Sequence, residues 1–178
     1  MESKSLYDIL LERGFSQSEI NQFLKTKEMG LIIPRDVQDV DIIRNFRTFC
    51  IKAKCEDSFQ KQKLILNGLL NNLDVSKYAK PEYDVPFMNQ IFIGLSNGLD
   101  ITEYCTKEDG FKIAEAIRLA LMNGVTDKEK LNFLKTFKEY RISYDFIDEI
   151  RYCIEKDIDL NKIKTCTTIQ ELKALRKK

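Results

Sequence analysis

Apolar residues recur three and four positions apart along most of the chain, the spacing that lays them on one face of an α-helix. Leu6, Ile9 and Leu10 form the first such group, with Ser5 ahead of it as an N-cap and Gly14 behind it as a stop. Ser16-Gln17-Ser18-Glu19 has the form of a capping box and opens a second helix carrying Ile20, Phe23 and Leu24. Together these predict an N-terminal αα-hairpin with Phe15 as its staple, ended by Gly30. Leu31-Ile32-Ile33-Pro34 follows as a buried connector. Asp39 or Asp41 then starts a third helix, whose stripe is Ile42, Ile43, Phe46, Phe49, Cys50 and Ala53.

From Phe59 the pattern repeats. Gly68-Leu69 matches Gly94-Leu95, Leu73-Asp74-Val75 matches Leu99-Asp100-Ile101, and Tyr78 matches Tyr104, all at an offset of 26 residues. A third copy keeps Ala120-Leu121 and Asn123-Gly124-Val125 but loses the Asp and the Tyr. A helix over 126–140, opened by a Thr126–Glu129 capping box, looks inserted there. A fourth copy runs through Ile147, Ile150, Ile154 and Ile158-Asp159-Leu160, with Ile163 in the Tyr position. Thr168 and Glu171 make another capping box before a last helix.

Each unit predicts a helix, a left-handed residue at its C-terminus, and a short Asp-capped hook closed by a large apolar side chain. Pro81 and Pro86 mark the crossing between the first two units. One unit cannot bury its apolar face alone, so stacked neighbours are expected. The fold expected is therefore all-α: a short, solenoid-like helical-repeat array over 56–178, preceded by a helical hairpin and linker helix over 1–55. Leu69, Leu73, Ile91, Leu95, Leu99, Ile117, Leu121, Ile150 and Ile154 are its expected core.

Composition agrees with helix and narrows the function. The 178 residues hold only 3 Pro and 7 Gly, and 43% are hydrophobic, enough for a core. Lys+Arg is 29 against Asp+Glu 28, which gives no general attraction to nucleic acid. No apolar run reaches the roughly eighteen residues a membrane span needs. Met1-Glu2-Ser3-Lys4-Ser5 lacks the form of a secretory leader, and the five cysteines are mostly isolated, so a reducing cytoplasm is the expected compartment.

The run Gly68-Leu69…Leu73-Asp74-Val75-Ser76-Lys77-Tyr78-Ala79-Lys80-Pro81 resembles a short repeat of proteins from Firmicutes phages and conjugative elements. The unit in that group is roughly Gln-Met-x-x-Ile-Arg-x-Gly-Leu-x-x-Gly-Leu-Asp-Val-x-x-Tyr-Ala-x-Pro. Ile117-Arg118 and Ile150-Arg151 carry its Ile-Arg step. The resemblance covers about residues 59 to 165 and departs from the group at 126–140. It implies a protein of a mobile element acting in a bacterial cytoplasm.

Chemistry is sparse. The chain has no histidine, hence no Ser-His or Cys-His nucleophile, and it contains neither a Walker A nor a Gly-x-Gly-x-x-Gly sequence. Cys50 and Cys55 form half a metal site at most, and Asp145, Asp148 and Glu149 fit a solvated helix face. No cofactor and no enzymatic activity are expected. Tyr78 and Tyr104 fit core better than base-stacking platforms.

A protein partner is expected instead, in sharpest form a host nuclease or other defence protein that the chain would inhibit, as an anti-CRISPR protein does. The alternative is a nucleic-acid-binding regulator using a basic helical patch, or the helix-turn-helix-like N-terminal pair. The candidate binding residues are Lys128, Lys130, Phe133, Lys135, Phe137, Lys138 and Arg141 around the inserted helix, with Lys173 and Arg176 at the C-terminus.

Overall fold

A computed structural model describes residues 5–21, 39–137 and 143–177. Their ordered segments are helical, and no strand occurs among them. The connector at Leu31–Pro34 lies outside the described residues. Two compact units form, residues 1–81 and 82–178. The expected boundary at 55/56 falls inside the first unit, where two long helices pack together.

In the first unit, α1 (Leu6–Glu12) is capped reciprocally by Ser5 and Asp8. Gly14 turns the chain at φ +85°, and Ser16 and Glu19 form the capping box of α2, helical over 17–21. Leu10, Phe15 and Ile20 bury against one another, with Tyr7 beside them. The N-cap of α3 (Val40–Lys52) is Asp39, not Asp41. Its Ile43, Phe46 and Cys50 point inward, and α3 packs on α4 (Phe59–Leu70).

In the second unit α5 (Val85–Ser96) packs on α6 (Gly110–Met122), α6 on α8 (Tyr144–Glu155), and α8 on α10 (Ile169–Arg176). The short helices α7 (Lys128–Lys135) and α9 (Leu160–Lys164) lie against this row. That order is compatible with a short stacked array.

The repeated element is the way helices end. Phe15, Cys55, Leu73, Leu99, Val125 and Ile158 each donate their N–H to the carbonyl five residues back, at 2.9–3.2 Å. The residue before each has positive φ: Gly14, Lys54, Asn72, Gly98, Gly124 and Asp157. This is the Schellman termination, in which an apolar residue folds back on its own helix. After four of these turns an Asp caps the next element, namely Asp74, Asp100, Asp127 and Asp159. The capped elements are the 3-10 turns Val75–Lys77 and Ile101–Glu103, then α7 and α9.

This corrects the reading of the third copy. Asp127, not Thr126, is the N-cap, accepting from the N–H groups of Glu129 and Lys130. The helix over 128–135 is therefore the third hook, lengthened and displaced by one residue, with Leu131 fully buried where Tyr78 sits in the first. Ile163 fills the same position in the fourth.

The core also differs from expectation in one respect. Ile91, Ile117, Ile150 and Ile154 are buried. Leu69, Leu73, Leu95, Leu99 and Leu121 are only half-buried. The small residue of each pair turns inward instead: Gly68, Gly94 and Ala120 are buried, and the hook seats directly against Gly68 and Gly94.

Candidate interaction surface

The residues expected to bind a partner separate into two groups with different fates. On α7, Phe133 is buried and meets Phe137 edge-on, with ring centroids 5.2 Å apart. Phe137 is half-buried and extends the contact to Phe146 at 6.3 Å. Phe133 and Phe137, both candidate binding residues by sequence, are thus taken up in packing between α7 and α8. Lys130 is tied to Asp157 by an ion pair, and Lys135 is half-buried near the Cys105 thiol. Lys128 is exposed, while Lys138 and Arg141 lie outside the described residues.

The C-terminal group leads to a different surface. Lys173 and Arg176 on α10 approach the Glu149 carboxylate of α8 at 4.0 and 3.5 Å. The Arg176 guanidinium also lies over the Tyr152 ring, 5.0 Å from its centroid, and Arg151 lies over the same ring at 4.1 Å. Such stacking suits the weakly hydrated guanidinium.

The face extends along α8 and α6 by helical spacing. Ile147, Ile150 and Ile154 face the core, which leaves Tyr144, Asp148, Tyr152 and Glu155 on the other side of α8. Ile113, Ile117 and Ala120 do the same on α6, leaving Lys112, Glu115 and Met122 outward. Lys112 sits over the Tyr144 ring at 4.4 Å, and Asn123 bonds Glu155 at 3.0 Å. Tyr144, Tyr152 and Met122 are 39%, 38% and 45% exposed. Partial burial, with Glu115 and Asp148 near, raises the Tyr144 phenol above its usual range.

Two buried arginines underlie this surface. Arg118 on α6 and Arg151 on α8 are 33 residues apart, the same offset that separates the turns at Gly124 and Asp157. They occupy one repeat position and are close enough that the charge of Arg151 acts on Arg118. Arg151 is well compensated: Glu155 accepts from Nη1 at 2.5 Å, and Asp148 accepts from Nη2 and Nε at 3.3 and 3.4 Å. Burial opposes its charge, but the bonds to Glu155 and Tyr152 outweigh that and raise its pKa.

Arg118 has weaker company. Its Nε donates to Gln90 Oε1 of α5 at 2.8 Å, and its Nη1 to the Met122 sulfur at 3.2 Å. Glu115 stays 3.9 Å from Nη2. Burial is the main reason its pKa falls, partly offset by Glu115, with the neighbouring Arg151 adding repulsion.

Gln90, Arg118, Arg151, Tyr152 and Arg176 therefore form a row across α5, α6, α8 and α10. The sequence shows only part of it. Two Ile-Arg steps place arginines beside inward-facing isoleucines, but nothing local links Gln90 or Tyr152 to them. Among the described residues no group of three His, Cys, Asp or Glu side chains could hold a metal ion, and no helix is long and apolar enough to cross a membrane. Comparison with protein-family models, with curated proteins and with solved structures finds no match.

Proposed function

We propose that this chain is a non-enzymatic protein-binding module whose contact surface is the α6–α8–α10 face. The observation that carries this reading is the pairing of exposed Tyr144, Tyr152 and Met122 with arginines held in fixed orientations beneath and beside them. Tyr, Met and Arg are the residue types enriched in protein interfaces, and a guanidinium fixed in advance loses little freedom on binding. The alternation of Lys112, Glu115, Asp148, Lys173 and Arg176 gives the face a mixed-sign pattern suited to one partner's complementary charges. In its sharper form, supported by the mobile-element resemblance, the partner is a host defence nuclease that the chain occludes.

The test is affinity capture from a host lysate at physiological salt, with the wild-type chain beside Tyr152→Ala and Tyr144→Ala. A partner held by the wild type and weakened about tenfold or more by Tyr152→Ala supports the reading. A partner equally retained by both variants moves the surface elsewhere.

A second reading has its own observation. In the first unit a groove of about 400 Å³ runs beside α3, lined by Phe15, Ile43 and Ile51 with Arg44, Arg47 and Lys52 around it. Glu19 is the one acid lining it among the described residues, and Arg44 reaches it at 3.8 Å. A basic helix beside an αα-hairpin is a surface for a nucleic-acid backbone. Duplex DNA titrated at rising salt separates the two readings, since backbone binding falls steeply with salt.

A further inference from the structure

We infer that Arg118 is a carboxylate receptor: it takes an Asp or Glu side chain of the bound protein, which displaces the Met122 thioether from its guanidinium. The inference rests on the protein-binding reading for the source of the carboxylate, though the receptor itself can be tested without any partner.

The comparison of the two equivalent arginines carries the argument. The side chain of Arg118 is 9% exposed and that of Arg151 5%. Both are therefore largely removed from water, and a charge so placed is costly unless paired. Arg151 has two carboxylates at hydrogen-bonding distance. Arg118 has a neutral amide, a thioether and a carboxylate at 3.9 Å. A thioether is a weak acceptor, a poor end state for a guanidinium N–H.

The geometry of the fork specifies what is missing. Gln90 holds Nε and so fixes the plane of the guanidinium. The end of the fork, Nη1 and Nη2, is left to Met122 and the distant Glu115. Two parallel N–H groups at that end match the two oxygens of a carboxylate. Met122 is 45% exposed and unbranched, so it can swing aside without disturbing the core. A phosphate backbone fits worse, because it brings a continuous line of charges past Glu115 beside the fork, whereas a lone carboxylate brings one charge that the guanidinium itself compensates. A single carboxylate meeting the end of the fork is the complementary group.

The experiment is an NMR titration of the full chain, ¹⁵N-labelled at arginine and ¹³C-methyl-labelled at methionine, at constant ionic strength. The probes are the N-acetyl methylamides of glutamate and of glutamine, and dimethyl phosphate. Glutamate is expected to shift the Arg118 Nε–H and Met122 methyl signals saturably. Glutamine and dimethyl phosphate should bind about tenfold more weakly or not at all. Arg118→Lys, which keeps the charge and loses the fork, should weaken the glutamate response. Met122→Ala, on an exposed position that leaves the fold intact, should bind glutamate more tightly because the thioether no longer competes.

A response equal for glutamine, no saturable response, or shifts centred on arginine signals other than Arg118 would overturn the inference. A stronger response to dimethyl phosphate would replace it with a nucleic-acid contact. A captured partner whose affinity ignores both Arg118→Lys and Met122→Ala would overturn it while leaving the protein-binding reading intact. Saturable glutamate binding in a chain that captures no partner would do the reverse.

Discussion

The hooks at Leu73–Tyr78 and Leu99–Tyr104 share a backbone and differ in what fills the space beneath them. Both follow a residue of positive φ, Asn72 or Gly98. In both an Asp accepts from the N–H two residues on, at 3.2 Å from Ser76 and 3.0 Å from Thr102. The first hook is closed by the Tyr78 ring, fully buried, whose hydroxyl donates to Leu64 O at 2.9 Å. In the second, Tyr104 is half-buried and Ile101 is the residue that packs beneath the turn. The backbone of the hook is therefore written locally, whereas its filling is chosen by the helix it sits on.

The two glycines show the same split, and they give the largest expected effects. A Cβ on Gly68 would lie 1.8 Å from Tyr78 Oη and 2.9 Å from Val75 Cγ2. Alanine normally stabilises a helix interior by about 1 kcal/mol over glycine. Gly68→Ala should reverse that sign and destabilise by about 2–3 kcal/mol, since the buried ring has nowhere to move. Chemical denaturation would show it as a lower midpoint. Adding Tyr78→Phe removes the closest clash, so the double variant should recover about 1 kcal/mol relative to the sum of the singles. Strict additivity would mean the ring does not impose the glycine.

At Gly94 the conflict is with backbone. A Cβ there would lie 2.9 Å from Leu99 O and 3.1 Å from Ile101 Cγ2. Gly94→Ala should cost less, about 1–2 kcal/mol, because the overlap at 2.9 Å is far shallower than the one at Gly68, although the Leu99 carbonyl is backbone and cannot rotate aside. Unlike Gly68→Ala, it should not be rescued by any change at Tyr104. Rescue by Tyr104→Phe would mean that the second hook is filled like the first.

Removing the hydroxyls is a smaller perturbation that sharpens the contrast. Burial raises the Tyr78 phenol well above its usual range, so it stays a protonated donor at any ordinary pH. Tyr78→Phe should cost about 1 kcal/mol, the usual net worth of one buried hydrogen bond. Tyr104→Phe, at a half-buried ring, should cost less than about 0.5 kcal/mol by the same measurement. Equal losses would erase the distinction between the hooks.

The same division explains what could be read from the sequence. Ser5, Ser16, Asp74, Asp100 and Thr168 were legible as caps because capping needs only the residues within one turn. Asn72, Gly98 and Gly124 were legible because few other residue types accept positive φ. Lys54 and Asp157 adopt the same conformation with no such signal, so there the surroundings impose it. Thr126 preceded by one residue the Asp that caps, a slip local chemistry could not resolve. The half-burial of Leu95 was hidden for another reason: helical periodicity marks a face, but the neighbour decides which edge of that face is covered. The candidate surface was the least legible, because Gln90 and Arg118 meet across 28 residues and Tyr152 meets Arg176 on another helix.

Removing the caps tests the half of the comparison in which the hooks are alike. If the backbone of each is specified by its own Asx turn, Asp74→Ala and Asp100→Ala should do equal damage, about 1 kcal/mol each. The two copies lie in different compact units, so global unfolding would mix their responses. Hydrogen exchange reads each hook separately through the amides of Tyr78 and Tyr104, which donate to Val75 O and Ile101 O at 3.2 and 3.0 Å. Each substitution should accelerate exchange at its own tyrosine about fivefold, leaving the other unchanged. A loss confined to Asp100→Ala would show that the fully buried ring in the first hook holds the turn without its cap. The backbone would then depend on the filling, and the two halves of the comparison would no longer be independent.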